Sequence, residues 1–346
     1  MIRRALALAA CLAGAATGAT ALPHAEAVAH FGPPEAPFHI LVRGALDIDS
    51  FFPALSAFVA VTPGTQVTLE QWNTNDLYDQ AAAACRGAAT PSDLVISSSM
   101  DQQVKLVNDG CAQPFRSALA TRLPTDRIWR DELFGLTHEP AVMVYNRRLV
   151  PEGDAPQSRF DLLDLLRRDE GTYAGRVATY DIERSGVGYL FAFLDSQQAT
   201  TFGSLIEAFA RADVVATCCS AEIIDGVTRG RYLIAYNVLG PYALARAAGN
   251  PDLVVVSPSD YTLVMSRAAF IPKDAREPGP AGALIDFLLS DPGQAAMAET
   301  YLTIVPGAPD ALRPIPLSPV LLVGLDRQKR EQLLELWRQT FPPPSP

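Results

Sequence analysis

Residues 39–59 read HILVRGALDIDSFFPALSAFV, and this stretch sets the expectation for the fold. The run at 39–43 reads as a short strand. From 47 to 59, Phe51, Phe52, Leu55, Phe58 and Val59 recur at helical spacing. The same strand-then-helix unit returns twice. A strand at 66–71 precedes a helix at 77–85, and a strand at 93–97 precedes a helix at 102–107. Such alternation predicts a largely parallel sheet covered by helices on both faces.

The second half behaves likewise, with strands near 176–180, 232–236 and 253–257 and intervening helices that begin at Ser or Gly. That predicts a second α/β lobe. Two further apolar runs, 141–145 and 262–265, lie where the chain would pass from one lobe to the other and back. The expected organisation is a discontinuous first lobe, 28–140 plus 262–346, and a second lobe, 141–261. Helices are predicted at 283–289 and 294–297. A C-terminal extension at 327–340 is amphipathic through Leu333, Leu334, Leu336 and Trp337, and Pro342, Pro343 and Pro344 cannot continue it.

With 346 residues, 49% hydrophobic and 19% charged, the chain can build more than one core. Its formal charge of −10 argues against nucleic acid and anionic membranes as partners. Arg3 and Arg4, the small apolar run 5–16, and the small-x-small sites at 19–21 and 25–27 read as a cleaved secretory signal over residues 1–27. A soluble, exported, periplasmic chain is therefore expected. The apolar run before Cys11 is short for a lipoprotein signal and continues past it, so lipid anchoring is set aside.

An exported compartment permits disulfides. Cys85 and Cys111 flank one strand-centred unit and can pair; Cys218 and Cys219 either bridge to each other or stay as two thiols. With no further Cys or His beside them, no metal site is expected. No Walker loop, dinucleotide fingerprint or His-Glu-x-x-His motif occurs, and neither His39 nor His138 lies in a Gly-x-Ser-x-Gly context. Binding without a cofactor is expected, rather than catalysis.

Several strings, in order, carry a resemblance: LVISSSM (94–100) leading into QVKLVND (103–109), EPAVMVYN (139–146), YDIERSGVGY (180–189), AYNVLG (235–240) and FLLSDPGQA (287–295). Together they resemble the type II periplasmic solute-binding proteins of ABC importers, in the branch of the ferric-ion binders and the phosphoglycerate transport regulatory protein. The resemblance implies two lobes, two crossover strands and a ligand cleft between them. It also implies delivery to an ABC permease or a periplasmic sensor domain. A monomer is expected.

In open α/β sheets, ligands settle beyond the carboxyl ends of strands, where helix N-termini offer free N–H groups. Ser98 and Ser99 stand at such a point; they can cap a helix or hold an oxyanion, and the match to the family's binding loop implies ligand contact. Thr74 and Asn75 have the same placement, and with Asn73 they exceed what one cap requires. Arg184, Ser185 and Gly186 form the best anion-binding candidate of the second lobe; the alternative is a helix start beside a solvated arginine.

Ser220 either caps a helix or meets the ligand. Similar proteins carry hydroxyl residues where this chain has Cys218 and Cys219, a departure that leaves this corner open, even to an arsenite-like species. Asn237 can donate and accept at once. The paired tyrosines of ferric binders are replaced after it by VLGPY (238–242), which disfavours phenolate iron ligation. Glu139 either reads ligand hydroxyls or an amine, or pairs with a protein Arg. Arg43 and Asp47 bracket the first strand-to-helix turn and complete the candidates. The expected ligand is a small phosphorylated or carboxylated organic molecule, with a ferric-type metal ion as the competing class.

Overall fold

The computed structural model describes residues 24–168, 170–198 and 201–341, so most of the expected signal segment, 1–23, lies outside the described residues. The chain enters through β1 (Ala27–Phe31) and β2 (Phe38–Ala45), then α1 (Ile48–Val61), β3 (Thr65–Gln71), α2 (Thr74–Cys85), β4 (Leu94–Ser97) and α3 (Met100–Asn108). The 3.6-residue period of α1 buries Phe51, Ala54, Leu55 and Phe58. Each such aromatic or leucine contributes about 1.5–3 kcal/mol by leaving water. Asn73 starts α2 by accepting the Asp76 N–H at 2.9 Å.

Strands β2, β3 and β4 are parallel, as the alternation predicts. The reading missed β1, which runs antiparallel along β3, and the short pair β5 (Ile128–Trp129) and β6 (Leu133–Gly135). These strands, β1 and β5 at the sheet's edges and β6 next to β5, are too short to stand out by periodicity. Cys85, at the end of α2, is bonded to Cys111, just beyond α3, with Cα atoms 5.2 Å apart.

The chain then crosses through β7 (Glu139–Asn146) into α4 (Arg159–Arg168), α5 (Glu170–Tyr173), β8 (Val177–Tyr180), α6 (Gly186–Gln198), α7 (Phe202–Arg211), β9 (Val215–Thr217), α8 (Ser220–Thr228), β10 (Ile234–Leu239), α9 (Gly240–Ala248) and β11 (Leu253–Val256). It returns through β12 (Thr262–Met265) to β13 (Ala268–Phe270), α10 (Pro278–Leu289), α11 (Asp291–Ala298), β14 (Leu312–Pro314) and α12 (Arg327–Thr340).

Among the described residues, one sheet has the order β1-β3-β2-β4-β13-β6-β5. The other has β14-β12-β7-β10-β8-β9, with β11 also paired to β7. The fold is thus two α/β lobes joined by two crossover strands, β7 and β12, antiparallel to each other through Val264↔Pro140 and Met265↔Glu139. One apolar cluster fills each lobe, and a third runs along the crossover with residues of both.

Two details depart from the sequence pattern. Strand β10 lies further along than 232–236, because it continues through a bulge at Asn237, whose φ is 56°. The terminal helix α12, within the segment expected to belong to the first lobe, packs on the second. Its Leu333 and Trp337 join that lobe's core, and the tilted Trp337 and Phe341 rings lie 4.4 Å apart, with Phe341 meeting Phe209 of α7.

Candidate functional site

A cavity of about 760 Å³ opens between the lobes at the carboxyl ends of the parallel strands. The first lobe contributes Asp47 from the β2–α1 turn, Trp72, Thr74 and Asn75 from the β3–α2 turn, and Ser98 with Gln102 from the β4–α3 turn. The second contributes Tyr180, Arg184 and Ser185 from β8–α6, Cys218, Cys219 and Ser220 from β9–α8, and Leu239 with Tyr242 from β10–α9. Arg267, beyond β12, and Arg330, on α12, also line it, together with Lys105 and the carboxylates Glu26, Asp76, Asp79 and Glu183.

Of the residues singled out by sequence, Thr74, Asn75, Ser98, Arg184, Ser185 and Ser220 line the cavity. Their hydrogen-bonding states differ. The Ser98 hydroxyl and the Arg184 guanidinium have no partner among the described residues. Ser185 caps its own helix by accepting the Gly188 N–H at 3.1 Å. Ser220 accepts the Leu239 N–H at 3.0 Å and pairs with the Tyr180 hydroxyl.

Thr74 and Asn75 reach across the cleft. Thr74 Oγ1 accepts the Gly186 N–H at 2.7 Å, and Asn75 donates to the Glu183 carbonyl at 3.0 Å. Gly186 does not line the cavity. It is one of the points where the lobes touch, and a Cβ there would lie 2.6 Å from Ser99 Oγ. Ser99 likewise sits behind the wall, donating to Asp101 at 3.0 Å.

Glu139 and Asn237 are placed differently from a ligand contact. Glu139 is fully buried and bound by Arg267 through both carboxylate oxygens at 2.8 Å, the protein-Arg alternative rather than ligand recognition. Asn237 points into the second lobe, donating to Asp195 at 2.6 Å, because its positive φ turns it out of the strand's alternation. Arg43 pairs with Glu70 at 2.8 Å. Cys218 and Cys219 are bonded to each other on the cavity wall, with Glu222 3.5 Å from Cys218 Sγ.

Sequence reasoning missed Gln102, Tyr180, Tyr242, Arg267 and Arg330 as wall residues. The first two lie inside or beside strings already noted, and Tyr242 lies two residues past one. Arg330 belongs to a charged helix face that reads as solvated, and Arg267 follows a crossover strand with no local signal. Burial raises the hydroxyls of Tyr180 and Tyr242 above their ordinary titration range, so both stay neutral hydrogen-bonding groups at neutral pH.

Behind the wall, Asp101 is buried without a cation partner, and burial pushes its carboxyl up to about 6. Ser99 and first-turn N–H groups oppose that rise. A raised folded pKa gives a contribution that is full below about pH 4, where Asp ordinarily titrates, and lost as pH rises through about 6. Asp101→Asn is therefore expected to stabilise the protein by about 1–3 kcal/mol at about pH 7.5 and by nothing at about pH 4. Thermal midpoints of both proteins at the two pH values check this; a loss at the higher pH would show that the helix N-terminus favours the carboxylate.

Comparison with known proteins gives the class. The chain belongs to the family of bacterial extracellular solute-binding proteins, whose profile matches residues 89–329. A substrate-binding protein of an ABC transporter from Agrobacterium tumefaciens is 35% identical, covers 92% of this chain with 99% of its own, and superposes with a TM-score of 0.86.

Two more distant structures share the fold. Iron-bound HitA from Pseudomonas aeruginosa is 17% identical over 88% of this chain and 99% of its own, with a TM-score of 0.67. AfuA from Actinobacillus pleuropneumoniae, with fructose-6-phosphate bound, is 15% identical over 88% and 99%, with a TM-score of 0.68. A search of curated proteins finds no match. The protein is thus an extracellular solute-binding component of an ABC transporter. No helix among the described residues is long and apolar enough to cross a membrane.

Proposed function

We propose that the protein, exported as a soluble monomer, captures a small phosphorylated or carboxylated organic anion by closure of its lobes and hands it to an ABC permease. The observation that carries this reading is the set of uncommitted donors on the cavity wall: the Ser98 hydroxyl at the start of α3 and the Arg184 guanidinium beside α6. They stand on opposite lobes, so an anion touching both would favour the closed state over the open one. Helix N-termini add N–H groups and partial positive charge at the same places. The fructose-6-phosphate seen in AfuA is consistent with such a ligand in this fold. No step of this reading requires catalysis. A sensor domain would recognise the same closed form.

The test is thermal unfolding of ligand-stripped protein against phosphoglycerates, sugar phosphates, di- and tricarboxylates, ferric citrate and arsenite. A ligand at a hundred times its Kd adds about 2.7 kcal/mol, a plain rise in Tm. The expected result is a rise with an organic anion that is lost in a Ser98→Ala, Arg184→Ala double variant. A rise with ferric citrate or arsenite alone would overturn the ligand class, and no rise with any compound would overturn small-molecule capture.

A further inference from the structure

Asp47 occupies the N-cap position of α1, where a carboxylate ordinarily accepts first-turn N–H groups. Its side chain makes no such bond. The Ile48 N–H goes instead to Gln71 Oε1 at 3.1 Å, and the Ser50 N–H to the Asp47 backbone carbonyl at 3.0 Å. The carboxylate is half-buried on the cavity wall and has no hydrogen bond or ion pair among the described residues.

The cation acting on it, Arg267, is already engaged by both oxygens of Glu139, by the Ala45 carbonyl and by Tyr242. Burial pushes the Asp47 carboxyl above its ordinary range, with Arg267 opposing, which is the state of an anion short of a counter-charge. Its surroundings suit a cation. The Tyr242 hydroxyl lies 3.3 Å from the Asp47 backbone nitrogen, and Trp72, held to Gly44 at the end of the neighbouring strand, lines the same wall. Tyr242 is the aromatic neighbour of Asp47 there, whereas the Trp72 ring already lies 5.8 Å from the Arg43 guanidinium and its Nε1 donates to Glu70 at 3.2 Å; an aromatic ring beside a carboxylate is a setting in which ammonium groups are bound.

Elsewhere on the wall both signs stand outside ion pairs among the described residues: the cations Arg184 and Arg330, and the carboxylates Asp79 and Glu26, the latter held by Gln71 at 3.4 Å. Arg184 has no partner among the described residues, and Arg330 lies over the Tyr189 ring at 4.6 Å without an ion pair, although Asp79 is near enough to act on it. Lys105 and Glu183 are paired, with Asp109 and Arg338. A ligand of one sign would leave one of these sets unmatched in a closed cavity.

We infer that the ligand is zwitterionic, with a cationic amine held at Asp47 and its acidic group directed to Ser98 and Arg184. The acidic half rests on the function proposed above; the amine half rests on Asp47. Asp47 is then the residue that separates an amino-bearing anion from its plain analogue.

The experiment is calorimetric titration of the ligand-stripped protein with matched pairs, 2-aminoethyl phosphate against ethyl phosphate and 3-aminopropionate against propionate, and with ethanolamine. The expected result is at least tenfold tighter binding of an amine-bearing member, with Asp47→Asn bringing the two members of that pair to equal affinity. Asn is the same size and caps helices well, so the fold should survive; Asp47→Ser serves as a second variant, and circular dichroism reports on both.

Equal affinity within each pair for the parent protein would overturn the inference and leave the organic-anion reading standing. So would an amine preference that Asp47→Asn and Asp47→Ser leave intact. Binding of ethanolamine but of no acid would overturn the organic-anion reading and the zwitterion together, with Asp47 as an amine site only. No binding of any probe would overturn both.

Discussion

Arg267→Met is expected to cost about 3–5 kcal/mol of stability, as losses of one partner from a buried ion pair do. Arg267 is completely buried, and its Nε and Nη2 meet the two oxygens of Glu139 at 2.8 Å each. Its backbone N–H reaches Thr137 Oγ1 at 2.8 Å, and Thr137 in turn donates to Glu139 at 2.7 Å. Without the guanidinium, Glu139 keeps Thr137 and no cation, and a carboxylate so placed is poorly solvated.

The double variant Arg267→Met, Glu139→Met is expected to regain most of the loss, since an apolar pair removes both desolvation costs at once. Urea unfolding with an unchanged slope measures both. If the double variant is no better than the single ones, lost packing and lost bonds to Ala45 and Tyr242 carry the energy, and the unpaired charge does not. Because this pair joins the first residue of β7 to the segment just after β12, its loss loosens the first-lobe end of both crossover strands.

The strand and helix sequence was legible because burial repeats within each element. The spacing of Phe51, Leu55 and Phe58 announces α1, and the bounds of β12 and α12 follow from local apolar runs flanked by polar residues. The site was legible only to the level of turns. Ser98, Thr74 and Arg184 lie at strand carboxyl ends, which topology alone brings to one cleft.

What each turn residue does there depends on partners far away in sequence. Glu139 meets Arg267 128 residues later, Thr74 meets Gly186 112 residues later, and no local pattern encodes either pairing. Asn237 shows the other kind of failure. Its backbone sits in the left-handed region, which Asn tolerates better than most residues, so a side chain read as facing the cleft turns inward.

That inward turn brings Asn237 into the second buried charge cluster, where Asp195→Ala is also expected to cost about 3–5 kcal/mol. Asp195 accepts from the Tyr236 hydroxyl at 2.7 Å, Asn237 at 2.6 Å and the Tyr261 hydroxyl at 2.7 Å, and it pairs with Arg159 at 3.2 Å. Arg159, almost wholly buried, donates to the Tyr236 hydroxyl at 2.9 Å and the Tyr261 carbonyl at 2.6 Å, with Asp260 3.5 Å away.

Removing Asp195 leaves an inaccessible guanidinium with Asp260 as its remaining counter-charge, and three donors lose their acceptor. A double-mutant cycle with Arg159→Met is expected to show coupling of a few kcal/mol; simple additivity would mean that the two residues stabilise the lobe separately. Tyr261 immediately precedes β12, so this cluster holds the second-lobe end of that crossover strand as Arg267 and Glu139 hold the first. Asp195→Ala should therefore speed amide exchange in β12 beyond what its loss of global stability produces, whereas uniform acceleration across both lobes would mean that the cluster stabilises the fold without positioning the hinge.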